Sequence, residues 1–469
     1  MINEHPLSLL ESGKKQMAIW QRHRSGWVIV ILLFVFTLLG TRIGLGGILN
    51  IVFPLFSLLV GIYLYSFHPT IYVSFTLWLW FLTALLRRLA DYWSSYTEPS
   101  PMLLAPFLVT GITIPLSLKC LPKAKANGSL PFAMSFIGVT YGFLIGLVSG
   151  VPLVSLLQSL LGWITPISFG WYLYLNWRKY LGFQKTIQQT FLWGVLIMGI
   201  YGIIQFMALP EWDRLWLEES KMFSATGMAS ETGGMRIWST MHSGEPFGAF
   251  MAVGLLILLS NLGNFSFMAA IPGYISFLLS TVRSAWLGWF GGLLIMMSNL
   301  KPNVQMRLIG FALAIGIAVV PLSLYQPFAE KIVPRVTSFS ALSEDESGQS
   351  RQGIYTNAAE RANEAIIGRG IGQGVGDSGI LSLFFELGWM GGGLYIVGII
   401  LITFQIFNDG FIASETFSSA VKAGLMSCFI RAPLNSVFVG ASAVLLWALL
   451  GLGLASSQYF SKKKYLVGD

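Results

Sequence analysis

The chain has 469 residues, of which 54% are apolar and only 11% charged, with a mean hydropathy of +0.68. A water-soluble domain carries roughly 25% charged residues, so this composition excludes one and places the chain in a membrane. The formal charge of +8 is spread along the sequence, and in such a chain basic residues report orientation; nucleic acid is not an expected partner.

Residues 1–25 are polar, which does not fit a cleavable signal peptide, so the first apolar helix is expected to act as an uncleaved start signal. A spanning helix needs about 20 mostly apolar residues. Segments of that kind lie near 26–40, 46–66, 69–87, 101–119, 130–150, 153–176, 187–208, 245–262, 265–281, 284–299, 306–324, 380–404, 417–434 and 436–458. The expected fold is therefore all-α, a polytopic transmembrane bundle of about 14 spans, or roughly 12 to 14. Pro101, Pro152, Pro210 and Pro321 are read as boundary markers. Three regions follow: an N-terminal membrane bundle over 1–208, a core over 209–404, and C-terminal spans with a basic tail over 405–469. Cys120 and Cys428 fall at opposite ends of the membrane, which speaks against a disulfide framework or a zinc site.

Orientation follows from Lys and Arg placement. With Lys14, Lys15, Arg22 and Arg24 in the cytoplasm, the short loops holding Lys119, Lys123 and Lys125, then Arg178, Lys179 and Lys185, then Lys301 and Arg307 also fall inside, as does the Lys462-Lys463-Lys464 tail. Both termini are then cytoplasmic. Arg87 and Arg88 fall outside and break the rule, either as a local exception or because they serve a purpose there. Two long loops, 209–244 and 325–379, face outward. In the second, Arg351 to Ile366 reads as a helix, because Tyr355, Ala358, Ala362 and Ile366 recur at helical spacing, with Ser350 to cap it and Gly368 to end it. No internal repeat of the transporter kind is visible on inspection.

The outward arginines Arg236, Arg283, Arg335 and Arg351 are the first candidates for chemistry. Arginine stays protonated and offers a planar fork of donors matched to phosphate oxygens. Arg283 lies between two apolar stretches, where an ionisable residue is costly and functional by default. Arg351 near a helix N-terminus opposes the dipole unless an anion binds there too. The alternative for any one of them is pairing with a loop carboxylate or snorkelling to the headgroups.

Arg236, His242 and Glu245 lead into the span at 245. His242 is a candidate base near neutral pH, although a lone loop histidine is more often a bystander. Glu245 beside a helix N-terminus is favourable on electrostatic grounds alone, and Pro246 fits the first turn. The tract Gly368-Arg-Gly-Ile-Gly-Gln-Gly-Val-Gly-Asp377-Ser-Gly lacks a preceding strand and a following Lys-Ser/Thr, so it is not a nucleotide loop. It reads as close-packed backbone delivering Asp377, which is either a base or, with Ser378, a helix cap. Glu386 stands two turns into the next span and should face the bundle interior or find an arginine; structural pairing and substrate contact both stay open. Glu344-Asp345-Glu346 reads as a solvated loop. No metal site and no cofactor is expected.

These residues resemble a known pattern. Arg283 with the apolar run after it resembles the "S-R-x-x-W/L-G" signature of the O-antigen polymerase/ligase superfamily of bacterial membrane glycan transferases. Arg335, then Asp345 and Ser347, then Arg351 and Tyr355 are similar to that family's outward loop. Asp377-Ser-Gly-Ile-Leu-Ser-Leu-Phe-Phe-Glu386-Leu-Gly resembles its "H-N-x-x-L-x-x-x-x-E-x-G" segment, and Arg236 through Pro246 resembles its "R-x-x-G…P-N" entrance. The resemblance covers roughly residues 230–400. It implies a GT-C-like bundle in the bacterial inner membrane with its site facing the periplasm. The implied activity is metal-independent transfer from an undecaprenyl-diphosphate-linked glycan donor to a glycan acceptor. Membrane lipids and a chain-length regulator are the further partners it implies.

The resemblance assigns catalysis to Arg283, Arg351 and Asp377, and substrate binding to Arg236, Arg335, His242, Glu245 and Glu386. This chain departs from the pattern in having Asp377 where the family has histidine and Ser378 where it has asparagine. Asp377 then replaces the histidine, or His242 takes over, or transfer relies on leaving-group stabilisation. Polymerase and ligase share the donor. The rival of another class is a transporter of lipid-linked glycans, against which the inner spans read as nearly charge-free.

Overall fold

The computed structural model describes residues 25–222, 236–261, 263–298, 300–326, 328–337, 366–373, 378–408 and 415–467. Among them there is helix, turn and loop but no strand. Each apolar segment expected to span coincides with a helix, except that 101–119 is a run of short helical pieces interrupted near 112. Among the described residues, ten helices are long and apolar enough to cross a membrane. The others, Gly244–Leu258, Asn264–Leu279, Arg283–Ser298 and Thr416–Arg431, have 15 or 16 residues. The chain is thus an all-helical, multi-pass membrane protein. Its contacts divide it into two units, 1–112 and 113–469, so 209–404 and 405–469 fold within one unit.

The first unit holds α1 (Ser25–Arg42), α2 (Gly46–Phe67), α3 (Pro69–Trp93) and α4 (Ala105–Gly111). Its apolar side chains point both ways: Ile31, Leu32 and Leu39 face outward where lipid would lie, whereas Val30 and Leu33 are buried. α3 ends on two buried arginines. Arg87 donates through Nε to Asp91 (3.1 Å) and through Nη2 to Glu98 (2.6 Å) and the Thr97 carbonyl (3.0 Å). The pairing offsets the desolvation of the guanidinium and fastens the turn after α3. Arg87 therefore has a local structural purpose. In that turn, burial and the Glu98 carboxylate raise the Tyr96 phenol above its usual pKa.

The second unit holds α5 (Ile114–Cys120), α6 (Leu130–Val148), α7 (Leu153–Leu175), α8 (Tyr180–Ala208), α9 (Glu211–Ser220), α10 (Gly244–Leu258), α11 (Asn264–Leu279), α12 (Arg283–Ser298), α13 (Pro302–Leu324), α14 (Phe328–Thr337), α15 (Gly379–Asn408), α16 (Thr416–Arg431) and α17 (Gly440–Val467). Pro152 and Pro210 stand just before α7 and α9, and Pro101 opens a 3-10 turn, as boundary markers should. Pro321 instead lies inside α13, near its end.

Where apolar packing has no advantage over lipid tails, small residues let helix backbones approach. α7 and α17 do this: a Cβ on Gly451 would lie 2.1 Å from the Gly170 carbonyl oxygen. α6 meets α15 in the same way through Gly138 and Gly391, and α12 meets α16 through Gly288 and Gly292. Beside these crossings, Tyr395 gathers an aromatic core. Its hydroxyl accepts from Trp447 Nε1 (2.9 Å), and its ring meets those of Trp163, Phe438 and Trp447 edge-on.

Polar groups collect at the two ends of the second unit. At one end Glu415 caps α16, accepting from the Phe417 and Ser418 backbone, Gln184 Nε2 (2.8 Å) and Tyr180 Oη (3.3 Å). The other end holds the candidate site.

Candidate functional site

Helix starts meet at that second end. α10 opens with Glu245 in its first turn, and the carboxylate accepts from the Arg431 guanidinium and lies 3.5 Å from Ser442 Oγ. Arg431 closes α16, and Ser442 stands in the first turn of α17. One turn past Arg431, Asn435 accepts at Oδ1 from Ser284 Oγ, in the first turn of α12, and at its backbone carbonyl from the N–H of Gly379, the first residue of α15 (3.0 Å). The turn Arg431–Asn435, closed by Asn435 N–H to the Arg431 carbonyl (2.9 Å), thus ties together the N-termini of α10, α12, α15 and α17. Each such terminus carries partial positive charge.

Arg283 is the first residue of α12 and is half-buried. The start of that helix is fixed by Trp286 Nε1 donating to the Phe277 carbonyl (3.1 Å) and by Thr281 in the left-handed region (φ 52°). A cation here stands against the helix dipole, so its position is not explained by helix electrostatics. Ser378 is buried and its Oγ accepts from Leu381 N–H (3.5 Å), the geometry of an N-cap for α15. Asp377 beside it, Arg351, residues 351–365 of the expected helix and the acidic triplet at 344–346 lie outside the described residues; Ile366, the expected last residue of that helix, stands in a bend. Arg335 lies in α14, and its side chain is outside the described atoms.

Glu386 does face the interior. Among the described residues its carboxylate accepts from Trp163 Nε1 (3.1 Å) rather than from an arginine. The glycine tract explains itself around it. Arg369 and Gly370 donate to the carbonyls of Phe385 and Glu386, and Ile371 to that of Gly142. A Cβ on Gly370 would lie 2.2 Å from Gly146 Cα and one on Gly368 2.5 Å from Gly388 N, and all four of Gly368, Gly370, Gly372 and Gly388 have positive φ. Only glycine fits such a ribbon pressed between α6 and a break in α15.

Arg236 and His242 bracket an irregular segment that packs on α8 and α9. Arg236 is half-buried, and His242 is exposed with its ring 5.5 Å from that of Trp216. The structure therefore joins Glu245 to Arg431 and sets Ser284, next to Arg283, within one hydrogen bond of the turn that seats α15. It seats Glu386 against Trp163.

The sequence reading missed three features. Arg431 is 1% exposed, and its signal was an arginine closing an apolar span. Lys422 is 2% exposed in α16, with Nζ 5.6 Å from the Phe407 ring, so that span is not charge-free as expected. Gln205 and Asp213, both fully buried, carry no motif at all. Compared with known proteins, the chain matches no family model and no curated sequence.

Proposed function

We propose that this protein is a membrane glycosyltransferase that lengthens lipid-diphosphate-linked glycans at the outer face of a bacterial inner membrane. The observation that carries the reading is the convergence of four helix N-termini on one turn, with Arg283 heading one of them and a buried guanidinium, Arg431, alongside. Converging N-termini and arginines suit an anion with several oxygens, as a diphosphate is. The motif resemblance supplies the glycan.

In this reaction an acceptor hydroxyl attacks the anomeric carbon of the donor, a new C–O bond forms, and the bond to the lipid diphosphate breaks. The departing diphosphate takes the electron pair. Arg283 and Arg351 hold its developing charge, with Arg236 or Arg335 assisting, which in a water-poor site is a large contribution to rate. The hydroxyl proton goes to Asp377 as the candidate base. Undecaprenyl diphosphate serves as the donor anchor because no nucleotide sugar is present on that side.

Purified protein given lipid-linked oligosaccharide tests this. Longer glycans on the same lipid support a polymerase, and transfer to another acceptor supports the ligase alternative. Product formation by Arg283→Ala at the wild-type rate would sink the site assignment. One observation favours the rival transporter: Lys422 buried within a span is where a translocation pathway would place a charge. Flux of labelled lipid across vesicles without change of glycan length would select it.

A further inference from the structure

Gln205 lies in the last turn of α8, fully buried. Its Oε1 accepts from two successive backbone N–H groups, those of Trp238 (3.0 Å) and Ser239 (2.8 Å), and its Nε2 donates to Asp213 Oδ2 (2.7 Å). The two N–H groups can only donate and the carboxylate only accepts, so the partners fix the amide's orientation. Asp213, also fully buried, accepts in addition from Tyr201 Oη (2.9 Å), which in turn accepts from Trp212 Nε1 (2.6 Å). Ser239 is held in the left-handed region at φ 52° while its Oγ donates to the Met198 carbonyl (2.7 Å). Trp216 of α9 meets the rings of both Trp238 and His242 at 5.5 Å.

Residues 236–243 thus have no regular ladder of their own. α8 and α9 impose their shape through one amide and one carboxylate. We propose that Gln205 and Asp213 are positioning residues that hold this segment in a single conformation, so that Arg236 and His242, on either side of the two captured N–H groups, are presented to substrate in fixed geometry. Neither residue touches substrate. The inference rests on the transferase reading for what the segment is presented to, but the rigid segment itself can be tested without activity.

The experiment measures amide exchange of Trp238 and Ser239 in the full-length protein in nanodiscs, alongside extension of lipid-linked oligosaccharide. Gln205→Leu removes the acceptor. It is expected to raise exchange at those two amides at least about tenfold, leave α10 protected, and lower kcat/KM by about tenfold or more, as misplacement of a substrate-positioning group does. Gln205→Glu alone brings two buried carboxyls together, which share a proton and keep the acceptor for the two N–H groups, so exchange should stay low. The swap Gln205→Glu with Asp213→Asn turns round both bonds made at Asp213 Oδ2, those with residue 205 and with Tyr201 Oη, and keeps the acceptor for the two N–H groups, so it should hold both readouts near the wild type; it also decides the matter if Gln205→Leu does not fold. Fast exchange at Trp238 and Ser239 in the wild type, or unchanged exchange in Gln205→Leu, overturns the proposal. Raised exchange with unchanged transfer overturns the positioning role while leaving the transferase standing. No transfer by the wild type, with both amides protected, counts against the transferase reading alone.

Discussion

Arg431 and Glu245 stand 186 residues apart in the chain and form an ion pair at the junction of α10 and α16. The arginine is 1% exposed on its side chain and the glutamate 29%, so the cation depends on its partner far more than the reverse. Removing one member of a buried pair strands the other and costs about 3 kcal/mol, whereas replacing both with apolar residues of like volume is often close to neutral. Glu245→Leu is therefore expected to lower thermal stability in detergent sharply. The double variant Glu245→Leu with Arg431→Met should recover most of the loss while transfer stays low.

Arg283 separates the two kinds of cost. It is half-buried at a helix start, where a cation is not stabilising, so Arg283→Ala should leave the melting temperature nearly unchanged. Transfer should fall by about 100-fold or more, the usual scale for losing one charge-stabilising donor. Arg283→Lys keeps the charge without the fork and should fall between. A stability loss matching the loss of transfer would make Arg283 structural instead.

Glu386 offers an isosteric test. Its carboxylate is the acceptor for Trp163 Nε1. Glu386→Leu leaves the buried Trp163 donor unpaired, at about 1–3 kcal/mol, whereas Glu386→Gln keeps an acceptor oxygen. Melting curves should rank the wild type and Glu386→Gln close together and Glu386→Leu well below. Equal melting of all three would mean the contact contributes nothing net.

The crossing of α7 and α17 predicts an unforgiving site. Any side chain at Gly451 meets the backbone of Gly170, which cannot rotate away. Gly451→Val is expected to cost more than the ~1–3 kcal/mol typical of overpacking, and should show as loss of monodisperse protein in size-exclusion chromatography. Gly393, with open space around it, is the matched control, and Gly393→Ala should be tolerated.

What could be read from the sequence was what short range determines. Apolar length located α1 through α17 as far as spans are concerned, and Pro152 and Pro210 marked real helix starts because a missing N–H acts locally. Glu386 facing inward followed from the cost of a carboxylate in lipid. Its partner did not, because Trp163 lies 223 residues away and any indole in the bundle was an equal candidate. Arg431 and Lys422 were passed over because each sits singly in an apolar run, and only packing reveals that the run is buried by protein on the side that carries the charge. Pro321 was misread as a stop because near the end of a helix a proline removes a single bond, which α13 sustains.

The ribbon around Gly370 constrains how this protein can change. Bare backbone faces α15 at 368, α6 at 370 and the start of α7 at 372, while Arg369 and Ile371 carry side chains between them, the latter fully buried. A deletion or insertion of one residue would exchange the two sets, driving an arginine or isoleucine against Gly146 and Gly388. Most connecting segments drift in length over time at little cost. This one is phase-locked to its neighbours, and a length change here would have to come in pairs of residues to be survivable.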